Sequence, residues 1–165
     1  MTPAGLWSRI GLGALLATGL PLALDIPAPT DLHVPALLAL TVGLAGGLAL
    51  YSISAHRRPV PIRTISPIKT TFVVGWATVE EILWRWLLLG GLALRLPLGI
   101  AFAAATAAFA LAHGHGRRNQ LVAGATFGGL YLLTGGLWAP TAAHVAHNLL
   151  VAGSVSPARA EMRPG

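Results

Sequence analysis

Six runs of apolar sequence, near residues 6–24, 34–54, 71–94, 97–113, 120–135 and 138–153, leave this chain little choice of fold. Segments of that composition need every backbone N–H and C=O paired within the segment, which favours helices, and six of them in series describe a polytopic membrane bundle. Several fall short of the roughly 20 residues that a perpendicular crossing needs. They are also rich in Gly and Ala, including Gly43, Gly46, Gly47, Gly90, Gly91, Gly124, Gly128, Gly129, Gly135 and Gly136, which implies closely packed helices. The expected fold is all-α: a membrane helix bundle of about six transmembrane helices. Residues 1–153 would form one transmembrane domain and 154–165 a disordered cytoplasmic tail.

Composition supports this and excludes other classes. Of the 165 residues 55 % are hydrophobic and only 10 % charged, where soluble domains carry about a quarter charged. A net charge of +6 suggests nucleic acid at first sight, but the basic residues sit in short clusters between apolar runs, which is a membrane-topology pattern. No nucleic-acid partner is expected; the lipid bilayer is. The absence of cysteine rules out disulfides, a thiol nucleophile and thiolate metal sites. Arg9 ahead of a short apolar core resembles a signal peptide, but residues 22–25 offer no convincing small-residue cleavage site. The first run is expected to be retained as a span.

Lys and Arg mark the cytoplasmic side. Arg57, Arg58, Arg63 and Lys69 fall in the second connection, Arg117 and Arg118 in the fourth, and Arg159 and Arg163 in the tail, whereas the first connection holds Asp25 and Asp31 with no basic residue. Six spans with both termini cytoplasmic satisfy nearly every charge, and Arg95 can snorkel to the outer interface. The proline-punctuated stretch 58–69 is expected to be extended or to lie at the interface.

Against this apolar background one stretch stands out: Val79-Glu80-Glu81-Ile82-Leu83-Trp84-Arg85-Trp86, two of the chain's five acids side by side. Ionisable groups at such depth are costly, and a function usually keeps them there. On an α-helix Glu81 and Arg85, four apart, share a face and neutralise each other, while Glu80 shares its face with Trp84 and is left free. Glu80 would lie about ten residues into the third span, roughly 15 Å from its cytoplasmic end. His113 ends the fourth span on that same side. In the sixth, His144 and Asn148 share a face, with His147 on a neighbouring one. His115 and His147 have no evident partner.

The chemistry that fits these residues is hydrolysis. Glu80 can take a proton from water, one imidazole can position that water, and a second imidazole with an amide can hold an oxyanion. Glu80, His113, His144 and Asn148 supply those parts. A divalent metal held by the glutamate and histidines is the open alternative. Neither H-E-x-x-H nor G-x-S-x-G is present, which excludes the common zincin and serine-hydrolase signatures.

Three short motifs carry a family resemblance. E-E-x-x-x-R (Glu80 to Arg85), F-x-x-x-H (Phe109 to His113) and H-x-x-x-N (His144 to Asn148), in that order, resemble the motifs of the CPBP intramembrane proteases, the family of CAAX-processing and bacteriocin-processing or self-immunity proteins. The connecting stretch from Gly124 through Phe127, Tyr131, Trp138 and Pro140 to His144 is also similar. The likeness covers about residues 70–153. It implies an all-α membrane endopeptidase in which Glu80 and His113 activate water, His144 and Asn148 form the oxyanion hole, and Glu81 with Arg85 braces the site. It further implies a membrane-associated protein or peptide substrate, a bacterial cytoplasmic membrane, and a mechanism that requires no bound cofactor. Trp86 departs from the family, which often has Gly after the Arg. Two other functions use the same residues: a non-catalytic immunity or regulatory protein that binds a peptide, and a small proton-coupled transporter with Glu80 and the histidines as relay.

Overall fold

The computed structural model describes residues 3–27, 30–55, 64–113 and 116–154. Outside them lie His115, Arg57, Arg58, Arg63 and residues 155–165, so the expectations for the basic loop and for nearly all of the tail fall beyond the described residues.

The six apolar runs become six rods. They are α1 (Pro3–Ala23), α2 (Ala36–Ala55), a third rod made of α3 (Pro67–Glu81), a π-helical segment (Ile82–Gly90) and α4 (Gly91–Ala93), then α5 (Leu98–Ala112), α6 (Arg117–Thr134) and α7 (Trp138–Gly153). No strand forms among the described residues.

The third rod differs from expectation at its start. Ser66 is the N-cap, its hydroxyl accepting from the Lys69 backbone N–H at 3.4 Å, and Pro67 fills the first helical turn, a combination that satisfies an orphan donor and pre-sets the backbone. Residues 67–69 are therefore helical rather than extended. Glu80 comes thirteen residues into the rod, about 20 Å from its start. Directly after Glu81 the hydrogen bonding widens to the π pattern for nine residues, a departure that often marks a functional site.

α7 is the hub, packed against α2, α3 and α6, while α5 packs against α6 and the π segment. Gly43 and Gly47, one turn apart on α2, face the α7 backbone. A Cβ on Gly43 would run into the Ala139 carbonyl oxygen and one on Gly47 into that of Ala143. Close approach of this kind is what a small-xxx-small pair permits.

The rod ends sort into two groups. At one end Tyr51 of α2 hydrogen-bonds Ser154 (2.7 Å), and Lys69 of α3 donates to the Ala152 carbonyl (3.2 Å), placing a cation at the C-terminus of α7 where the helix dipole favours it. Ser154 is thus tied down rather than disordered. At the other end Val34 N–H donates to Thr134 O, and Gly135 takes the left-handed conformation (φ 68°) with its α-carbon against the Leu32 carbonyl. Any Cβ there would collide.

Glu81, Arg85 and His144 are buried, while Leu15, Leu37, Leu133 and Ile53 are each more than 60 % exposed. Among the described residues, α2 is the one helix long and apolar enough to cross a membrane (Ala36–Ser54), and α5 is apolar but shorter. The third rod is interrupted by the π segment, and α6 opens on Arg117, Arg118, Asn119 and Gln120.

Candidate active site

Three of the four residues expected to carry the chemistry meet around one carboxylate. Glu80 sits at the end of α3, His113 caps the C-terminus of α5, and His144 lies mid-way along α7. His113 Nε2 is 3.7 Å from Glu80 Oε1 and His144 Nε2 is 3.5 Å from Glu80 Oε2. Both separations are too long for direct hydrogen bonds.

The other ring nitrogens fix how each histidine presents itself. His113 Nδ1 is 2.7 Å from the Phe109 carbonyl, one of the carbonyls that the end of α5 leaves without a helical partner. A carbonyl only accepts, so Nδ1 carries the proton, and in the neutral ring Nε2 turns a lone pair toward Glu80. His144 Nδ1 is 2.6 Å from Glu81 Oε1 and donates to that carboxylate. For His144 Nε2 to donate as well, its ring must hold both protons.

Glu81 has two partners where the sequence suggested one. Arg85 Nε lies 3.0 Å from Glu81 Oε2 as expected for four residues' separation, but the N–H is not aimed at that oxygen, so this is a charge contact more than a hydrogen bond. Arg85 Nη2 donates to the Gly124 carbonyl at 3.4 Å, and the guanidinium rests over the rings of Phe109 and Phe127 (4.7 and 5.4 Å), which is favourable for a desolvated cation.

Glu80 is not free either. Trp76 Nε1–H donates to its Oε1 at 2.8 Å. Two aromatic rings complete the frame: Phe127 stacks on His144 at 4.6 Å and Phe109 lies against His113 at 4.3 Å. Sequence reasoning missed Trp76, although the four-residue spacing that pairs Glu81 with Arg85 pairs Trp76 with Glu80. Phe127 and the His144–Glu81 bond depend on how α6 and α7 dock on α3, which no local spacing reveals.

Asn148 is not among the hydrogen-bond or ion-pair partners of Glu80. It lines a cavity of about 210 Å³ beside His144, together with His147. His147 Nδ1 is buried without a hydrogen-bond partner. Trp86, at the position where the family often has Gly, donates from Nε1 to the Ile26 carbonyl (2.9 Å) and so ties the π segment to the first connection, away from the carboxylates. No group of three or more His, Cys, Asp or Glu side chains among the described residues has the geometry to hold a metal ion.

The sequence profile of the type II CAAX prenyl endopeptidase Rce1-like family matches residues 64–150, just over half of the chain and the part that contains every residue above except Ile26. Neither the curated proteins nor the solved structures yield a match.

Proposed function

The chain belongs to the type II CAAX prenyl endopeptidase Rce1-like family, a family of membrane-embedded proteases, and from that premise we propose that it is an intramembrane endopeptidase whose catalytic groups are Glu80, His113, His144 and Asn148. A water seated among Glu80, His113 Nε2 and the scissile carbonyl gives a proton to the Glu80 carboxylate, while its oxygen attacks the carbonyl carbon. His113, with Nδ1–H held by Phe109 O, offers Nε2 as an acceptor that orients that water. His144 Nε2–H and the Asn148 amide donate to the oxyanion of the tetrahedral intermediate. Collapse of the intermediate breaks the C–N bond, and the proton on Glu80 passes to the leaving amine.

The observation that carries this reading is the approach of two imidazole Nε2 atoms, from two different rods and at 3.5 and 3.7 Å, to opposite oxygens of a carboxylate on a third. Glu81 and Arg85 brace it from beneath. The outward-facing leucines and buried charges support a bundle of about six spans, with the end that carries Lys69 facing the cytoplasm. The substrate is a membrane-associated protein or peptide.

The test uses the detergent-solubilised full chain and a mixed peptide pool read by mass spectrometry. The wild type is expected to generate new termini that neither Glu80→Ala nor His113→Ala generates. Equal cleavage by Glu80→Ala would overturn the proposal.

A further inference from the structure

The cavity beside His144 is lined by polar side chains from three rods, Ser54 of α2, Asn119 and Gln120 of α6, and His147 and Asn148 of α7, together with apolar ones. Of the polar side chains that line it, catalysis as proposed above uses only His144 and Asn148. Ser54 Oγ donates to the Leu50 carbonyl, which leaves its lone pairs to accept. With His147 Nδ1 enclosed and unpartnered, the ring's capacity to bond into the cavity rests on Nε2. Asn119 and Gln120 stand in the first turn of α6, their carboxamides each offering donors and an acceptor.

A peptide bond reaches a hydrolytic site only when its segment is out of the helix, and each extended residue then presents an unpaired N–H and C=O. Within a membrane such groups must find partners in protein. A lining of carboxamides, a hydroxyl and an imidazole meets that need. A lipid chain in the same place would strip water from those polar groups and return nothing.

Resting on the protease reading, we infer that this cavity is a substrate subsite that binds extended peptide main chain next to the scissile bond, through His147, Asn119 and Gln120. These three are binding residues, so their loss weakens substrate capture rather than bond cleavage.

The experiment takes an internally quenched peptide chosen from the fastest-cut members of the peptide pool and measures kcat and KM for the full-length wild type, His147→Leu, His147→Gln and Gln120→Ala. Loss of one main-chain hydrogen bond is worth about three- to tenfold in affinity. KM is expected to rise by that factor in His147→Leu and in Gln120→Ala with kcat nearly unchanged. His147→Gln, whose amide reaches the place of Nε2, should return KM most of the way. Unchanged KM in both His147→Leu and Gln120→Ala, with cleavage still abolished in Glu80→Ala, overturns the subsite and leaves the protease reading standing. Absence of any Glu80-dependent cleavage removes both. Should His147→Leu fail to fold, Gln120→Ala decides alone, because the Gln120 side chain is only partly buried at the start of α6.

Discussion

His144 and Glu81, 63 residues apart in the chain, meet at 2.6 Å between Nδ1 and Oε1 in the buried centre of the bundle. This contact gives Glu81 a second task beyond balancing Arg85: it holds the proton on Nδ1, leaving Nε2 as the edge presented to Glu80. The two tasks can be separated. Glu81→Leu alone strands the Arg85 guanidinium and should cost about 3–5 kcal/mol of stability. Glu81→Leu combined with Arg85→Leu removes the stranded charge and should recover most of that loss. Cleavage should stay depressed by about 10²–10³ in the double variant, because His144 has lost the acceptor that fixes its ring against Glu80. Thermal unfolding in detergent and peptide cleavage, measured on the same samples, check both halves. Activity returning together with stability would show that Glu81 has only a structural role.

Trp76 orients the catalytic carboxylate through its indole N–H, 2.8 Å from Glu80 Oε1. Trp76→Phe keeps a ring to stack on Phe72 and deletes the donor. Loose positioning of a catalytic group lowers kcat by roughly ten- to a hundredfold. KM and the unfolding temperature should barely move, and a steady-state kinetic comparison with the wild type would reveal it.

The contact between α2 and α7 sets the position of His144 from behind. Gly47→Val would drive a side chain into the Ala143 carbonyl, next to His144 in sequence, and overpacking of this kind costs about 1–3 kcal/mol. Gly46→Ala is the matched control, since its Cβ would meet only the flexible end of Leu130 at 3.2 Å. Unfolding temperatures should fall for the first and hold for the second.

How much of this was legible beforehand depended on whether a feature is local. The six rods follow the apolar runs to within a few residues, because span length is written in hydropathy. Glu81 with Arg85 obeyed the four-residue rule. Trp76 with Glu80 obeys it too and was overlooked, since an indole in an apolar run reads as packing. The start of α3 was legible in Ser66-Pro67, a cap and a first-turn proline, but the prolines upstream made the whole stretch read as loop. The π segment has no signature in the 3.6-residue pattern. Contacts between rods were beyond reach: that His144 bonds Glu81, that Phe127 stacks on His144, and that Asn148 lines a cavity that Glu80 does not all follow from how α6 and α7 pack, not from any spacing within them.

The most direct test of the central claim is made in cells: membrane-protein termini compared by mass spectrometry among cells carrying the wild type, Glu80→Ala or no copy, at matched expression. The mechanism predicts termini that occur only with the wild type, and these would name the substrate. Identical termini with wild type and Glu80→Ala, both restoring a deletion phenotype, would contradict proteolysis and leave peptide binding without cleavage as the function.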